Sequence, residues 1–339
     1  MSKEIGVEDA CSRVSKAAGS FEWAFKDEPT AATVIAGVLE QFSRHFLLND
    51  HGAELAMATV EPLAISPQWS VPHHQPCRRE SDEERIHQAR VSVRRIGSTI
   101  RTFENLIDPS WAASITNELS WYGKILGAQR DLHVLRSALE KAMGLVAVTS
   151  DRLVVLGALD HAIEETGERA ALERSSARFV QLVEEIVQLS STIHFVAVAG
   201  ESASDVLASQ LISPWRDVSS RCHDARSDSS DERLHELRKA LKRLQYASET
   251  VAIVKGSRAE RIAHFSGSLQ RRLGLVHDAS VAQEWLEILR TTEPSIRPST
   301  DSLLEHFRVV HRDARRGWRH DMDRVKRAWY QWDEPRRKN

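Results

Sequence analysis

A histidine followed by basic residues at offsets of three, seven and eight stands at His87, Arg90, Arg94 and Arg95. The arrangement returns 148 residues later as His235, Arg238, Lys242 and Arg243. On an α-helix, at roughly 100° per residue, offsets of zero, three and seven fall within ~60° of one another and form one row. Arg101 extends the first row by two turns, and Arg95, Lys239 and Arg243 flank the two rows. Like charges at these spacings repel by a few tenths of a kcal/mol per pair, roughly. No carboxylate interrupts the row between His87 and Arg101, and Glu236 sits off the second row. The expected neutralising partner is therefore an anionic ligand. Arginine suits bidentate contact with phosphate oxygens, and histidine adds a donor that titrates near neutrality. Next to a bound anion, His87 and His235 are expected to be more fully protonated.

A second motif keeps step with the first. Leu126-Gly127-x-x-Arg130-Asp131 matches Leu273-Gly274-x-x-His277-Asp278, and the His-to-Leu gap is 39 residues in one copy and 38 in the other. Ordered motifs at near-constant spacing suggest an internal duplication. Asp131 and Asp278, just past Leu-Gly, read as helix N-caps as readily as ligand groups. Arg130 and His277 either join the basic site or cover a helix end. Arg271 and Arg272 precede the second Leu-Gly, and Arg308, Arg312, Arg315, Arg316 and Arg319 form a third basic run. Taken alone that run is a solvated face; Arg169, Arg174 and Arg178 are its sparser counterpart in the first half. Trp318, Trp329 and Trp332 read as packing residues.

The elements that must carry these residues are helices. Helical spacing dominates, and glycine and proline gather at joints. The pattern predicts helices over 31–48, 82–107, 110–126, from Asp131 onward, 151–166, 168–191, 206–221, 231–254, 258–273, 278–291 and 300–330. In 82–107 the apolar face is Ile86, Val93, Ile96, Ile100, Phe103 and Ile107, away from the basic row, with Asp108-Pro109 as the stop. Residues 1–28 are ambiguous, 62–81 read as a proline-containing linker, 193–199 fit helix or strand, and 223–231 is a polar loop. The expected class is all-α, in two similar halves.

With 339 residues the chain has ample length for a core, and its formal charge of −2 excludes a generally basic nucleic-acid coat. Charge is uneven: 140–210 hold 11 acidic and 5 basic residues, whereas 303–339 hold 11 basic and 6 acidic. That points to a local anion site. Cys11, Cys77 and Cys222 are far apart, without a C-x-x-C, which argues for a reduced compartment and against a zinc ribbon. The N-terminus lacks an apolar signal region and no apolar run is long enough to span a bilayer.

These motifs, in this order, resemble the CHAD domain, the conserved-histidine α-helical domain, in which a His-x-x-Arg-x-x-x-Arg-Arg helix and a related basic helix are each followed by a Leu-Gly-x-x-(Arg/Asn/His)-Asp turn. The resemblance covers roughly 31–332, divided near 200, with 1–30 as an extension and 333–339 as a polar tail. It implies two bundle-like halves related by a pseudo-twofold, a central basic groove, and non-catalytic binding of inorganic polyphosphate. The implied ligand set is His87, Arg90, Arg94, Arg95, Arg101, Arg130, His235, Arg238, Lys239, Lys242 and Arg243, with Arg271, Arg272, His277 and the Arg308–Arg319 run as further candidates. No cofactor, metal or catalytic residue is expected; the expected setting is the cytoplasm, with polyphosphate granules and their proteins as partners. One departure is duplicated: where the family often has another basic residue, this chain has Gly97 and Gln245. Residues 1–80 are too short and helical for the triphosphate-tunnel β-barrel fused to some members.

Three rival readings use the same residues. His277-Asp278 could belong to a metal-dependent phosphohydrolase of the HD type, but His-Asp also occurs at His223-Asp224 and His320-Asp321, and neither a P-loop nor H-E-x-x-H is present. A nucleic-acid binder would interleave stacking aromatics, yet the row His87–Arg101 has none before Phe103. A scaffold that recruits proteins, with the acidic 140–210 segment as its surface, is the third.

Overall fold

The structure, a computed structural model, describes residues 28–53, 81–146 and 151–337, leaving aside the side chains of 190 and 334–337. The readings of 1–27, of the linker 62–80, and of Cys11 and Cys77 lie outside the described residues. Eleven α-helices account for most of these residues: α1 (Ala31–Asn49), α2 (Asp82–Thr102), α3 (Pro109–Leu145), α4 (Arg152–Arg174), α5 (Ala177–Thr192), α6 (Ala203–Ser209), α7 (Ile212–Ser227), α8 (Asp231–Lys255), α9 (Ser257–Thr292), α10 (Arg297–Arg316) and α11 (Trp318–Arg337). Among the described residues there is no strand, only isolated bridges at Thr30–Ser202 and Ile107–Phe195. The fold is all-α, as expected.

The two helices that carry the basic rows begin alike. Ser81 caps α2 by accepting the Glu84 amide, and Ser230 caps α8 by accepting the Arg233 amide, with acidic residues in both first turns. Helix α2 stops at Thr102 rather than near 107. Asp108, expected to end it, instead caps α3 by accepting the Ser110 and Trp111 amides, with Pro109 at the first helical position.

The chief correction concerns the Leu-Gly motifs. Both were expected as turns, with new helices starting at Asp131 and 278. Both instead lie inside unbroken helices, α3 of 37 residues and α9 of 36, each about 55 Å long. A mid-helix glycine costs only about 1 kcal/mol relative to alanine, which flanking packing easily offsets. Asp131 and Asp278 are therefore mid-helix residues and not caps. Elsewhere 151–191 break at 175–176 instead of 167, 206–221 divide into α6 and α7, and 300–330 divide at Gly317, which puts Arg319 on α11. The segment 193–199 ends in a 3₁₀ turn, Ala197–Gly200.

Two hydrophobic cores result. The larger joins α1, α2, α5, α6, α7, α8 and α11 with the first parts of α3 and α9 and, through Ala314, the end of α10, around Phe46, Ile96, Tyr122, Leu126, Leu237, Leu241 and Leu273. The smaller joins α4 and α10 with the last parts of α3 and α9, around Leu135, Leu139, Leu159, Leu286, Leu304 and Phe307. Each fully buried Leu or Phe contributes about 1.5–3 kcal/mol. In α3 the larger core ends at Leu126 and the smaller begins at Leu135; in α9 the corresponding residues are Val276 and Ala279. The motif residues Arg130, Asp131, His277 and Asp278 sit at this seam.

Candidate basic site

Helix α2 packs on α3, α8 on α9, and α2 also packs on α8. The apolar faces of α2 and α8 are buried, so their basic rows are left toward one another and toward the seam segments of α3 and α9. At Arg90, Nη1 donates to the Gly127 carbonyl (3.3 Å) and to Asp131 Oδ1 (2.5 Å). The guanidinium lies over Gly127, where an added Cβ would meet its Nη2 at 3.4 Å. Arg238 lies over Gly274 in the same way, with its Nε 3.6 Å from such a Cβ. The Leu-Gly motif thus provides a flat stretch of helix on which an arginine of the neighbouring helix rests. Arg94 donates from Nε to the Tyr246 hydroxyl (3.1 Å), across from α2 to α8. Arg130 Nη1 meets Glu83 Oε1 at 2.7 Å. The His235 and His277 rings lie 4.8 Å apart.

Electrostatics places the rest. Lys242 is pushed down to about 6, by burial first and then by Arg94, Arg238 and Arg90, against the opposing pull of Asp278. His87 is pushed down to about 4 by burial and by Arg130, Arg94 and Arg90. Burial, then His277, Lys239 and Arg238, lowers His235. Burial also lowers Arg238, which feels Arg94 and Arg90 from α2 and the opposing Asp278 and Asp131. Asp278 is raised by burial despite Arg238, His277 and Lys242 around it. Hence Arg90 and Arg94 of α2 stand within electrostatic reach of Arg238 and Lys242 of α8; His87 and Arg130 adjoin the first pair, and His235 and His277 adjoin Arg238. His87 and His235, expected to be more fully protonated beside an anion, are both lowered in the free protein, first by burial and then by the cations around them. The buried Nε of Arg238 and Nδ1 of His235 have no hydrogen-bond partner. An unmet guanidinium N–H among excess cations fits an anion with several acceptor oxygens.

Other sequence candidates are occupied elsewhere. Arg95 is buried, pairs with Glu249, and is held between the Phe42 and Tyr246 rings, its guanidinium 5.0 and 4.4 Å from their centroids. Burial opposes its charge, but Glu249 and Tyr246 outweigh that and raise its pKa. It is an internal tie between α2 and α8. Lys239 pairs with Glu236 (2.5 Å) on its own helix, and Arg243 pairs with Asp217 of α7. Arg101 is lowered by burial and by Arg243, so these two mark a second, smaller cationic spot, beside a cavity of about 400 Å³ that also takes in Glu104 and Asn105. Arg271 is exposed, and Arg272 pairs with Asp321 of α11 (2.5 Å).

The third basic run is neutralised at most positions. Arg308 faces Glu287 and Glu305, Arg312 and Arg316 face Asp313, and Arg315 pairs with Asp231 (3.2 Å), which also accepts from His311 (2.8 Å). Arg319 donates to Ser229 Oγ (3.3 Å). In the basic row of α2, Arg90 has a carboxylate from α3 (Asp131); beside the row, Arg95 has Glu249 of α8, and Glu83 at the helix start serves Arg130 of α3. Tyr246, which holds Arg94, was not foreseen, although it stands four residues past Lys242 and so shares its face. Gln245, at one of the two departure positions, bonds Glu249 (2.9 Å) and packs on Gly267, while Gly97 leaves room for Arg101 to lie back over the helix.

No curated protein matches the chain. Among solved structures it is similar to PptA from Streptomyces chartreusis, at a TM-score of 0.57 and 21% identity, over 89% of this chain and 99% of that one. It is also similar to the crystal structure of the CHAD domain from the plant Ricinus communis, at a TM-score of 0.60 and 19% identity, over 91% and 94% of the two chains. These similarities concern the fold. The CHAD domain model matches residues 70–287, well over half of the sequence, and the chain therefore belongs to the CHAD domain family.

Proposed function

We propose that this protein binds inorganic polyphosphate, without chemistry, in a basic groove between α2 and α8, as membership of the family leads one to expect. The observation that carries this reading is the meeting of Arg94 from one half with Arg238 and Lys242 from the other, with a buried donor left unmet. The reading assigns His87, Arg90, Arg94, Arg130, His235, Arg238, Lys242 and His277 to the ligand, with Arg101 and Arg243 as an outlying contact. It leaves Arg95 out. Residues 31–332 act as one domain whose halves descend from a duplicated unit. Successive phosphates of one chain engage both rows, so affinity grows with chain length through effective concentration. A phosphohydrolase of the HD type would need several His and Asp ligands around a metal; among the described residues no group of three or more such side chains is gathered. Among those residues, too, no helix is long and apolar enough to cross a membrane. A cytoplasmic setting and granule partners belong to the same proposal.

The test is a competition assay at fixed salt between long-chain polyphosphate, single-stranded RNA and duplex DNA. Polyphosphate should win, and binding should weaken steeply with salt. The double substitution Arg94→Glu and Lys242→Glu should abolish binding with helicity retained. Normal binding by that variant, or preference for a nucleic acid, would refute the proposal.

A further inference from the structure

We propose that Asp131 and Glu83 are built-in competitors for the anion, occupying Arg90 and Arg130 until the ligand displaces them. This rests on the polyphosphate reading above. The two halves differ in how their cations are held. In the first half Arg90 is paired with Asp131 at 2.5 Å and Arg130 with Glu83 at 2.7 Å. In the second, Arg238 senses Asp278 without an ion pair and keeps a buried donor unmet, and His235 Nδ1 beside it has no partner either. One wall of the site is thus closed by internal carboxylates and the other is open.

Exposure separates a competitor from a positioning residue. The side chain of Asp131 is 67% exposed and that of Glu83 is 42%, whereas Arg90 and Arg130 are 27% and 19% exposed. The carboxylates approach from the solvent side and can swing back into water. Arg90 is also held by the Gly127 carbonyl and rests on that glycine, so its guanidinium keeps its place when Asp131 leaves. A phosphate arriving at Arg90 meets the donor that Asp131 now uses, because one Nη1 serves both the carbonyl and the carboxylate. A polyanion gripped first by Arg238, with Lys242 beside it, reaches the closed wall at high effective concentration and exchanges with the carboxylates there. The carboxylates set affinity below its electrostatic maximum and keep the complex reversible.

The experiment measures binding of long-chain polyphosphate to the full chain and to Asp131→Asn, Glu83→Gln, the double variant, Arg90→Gln, and Arg90→Gln with Asp131→Asn. Given the strength of exposed ion pairs, each amide should tighten binding by about threefold and the pair by about tenfold. Arg90→Gln should weaken binding more in the Asp131→Asn background than in the wild type, because no carboxylate then has to be displaced. Weaker binding by Asp131→Asn, with a smaller effect of Arg90→Gln, would show that Asp131 positions Arg90 and would overturn the inference. So would unchanged affinity. A parallel cycle with Glu83→Gln and Arg130→Gln gives an independent answer should one variant fail to fold. If the folded wild type itself does not bind long-chain polyphosphate, the functional reading falls first, and this inference with it.

Discussion

Binding at this site should be coupled to proton uptake, and Lys242 sets the size of the effect. In the free protein its ammonium is pushed down to about 6 by burial and by Arg94, Arg238 and Arg90. At pH 7.5 the amine is then almost wholly neutral. A phosphate chain that offsets those three guanidiniums returns it toward the ordinary lysine value, so the complex takes up about one proton per site. Each pH unit above about 6 should cost up to about tenfold in affinity until the bound-state value is reached. His87, pushed down to about 4, adds a second increment below neutrality. Calorimetric titration at pH 7.5 in buffers of differing ionisation enthalpy gives the proton number as a slope, and long chains keep titrating terminal phosphates few. Lys242→Arg, whose guanidinium stays charged, should remove the uptake and flatten the pH profile between 6 and 8. Zero uptake by the wild type, with pH-independent affinity over that range, would refute the reasoning.

The free protein carries the opposite face of the same linkage. Both folded-state values lie below the unfolded ones, so the unfolded chain binds more protons and stability rises with pH. For His87 the window is about pH 4 to 6.5, and acidification through it should remove about 3 kcal/mol, read as a falling denaturation midpoint. Lys242→Met removes an amine that must give up its proton to fold among like charges; thermal melts should show a stabilised free protein, by about 1–3 kcal/mol, that binds more weakly. Tyr246→Phe deletes the hydroxyl that holds Arg94 and should cost about 1 kcal/mol of binding with little change in melting temperature. Glu249→Gln leaves Arg95 buried without its counter-charge and should destabilise the fold by about 3–5 kcal/mol, with or without ligand, in chemical denaturation.

Periodicity made the helices and their basic faces legible, because a row at offsets of three, four and seven shows in one dimension. It could not show what other helices bring to that row. Asp131 and Glu249 neutralise Arg90 and Arg95 of α2 from 41 and 154 residues away in sequence, Glu83 in turn neutralises Arg130 of α3 from 47 residues away, and only the packing reveals it. That is also why Arg95, alike in sequence to Arg94, turns out to be an internal tie. The Leu-Gly motifs misled for a local reason. Glycine followed by aspartate is the usual signature of a helix end, but here leucines on both sides anchor the helix to two cores and the glycine is a resting place for an arginine. The break at Gly317 went unseen because the arginine spacing continues across it.

The passage of α3 and α9 from one core to the other bears on how the molecule comes apart. Beyond Ala314 of α10, little apolar burial joins the two cores at the seam, so cohesion there falls to the backbones of α3, α9 and α10 and to ion pairs that water can replace. Hydrogen exchange should find two cooperative units, with amides near 127–134 and 277–278 opening more readily than those inside either core. A bound polyanion fastens to this weak place. Occupancy should then make the two units melt as one, so that the ligand acts as a mechanical clasp and its loss loosens the smaller unit from the larger.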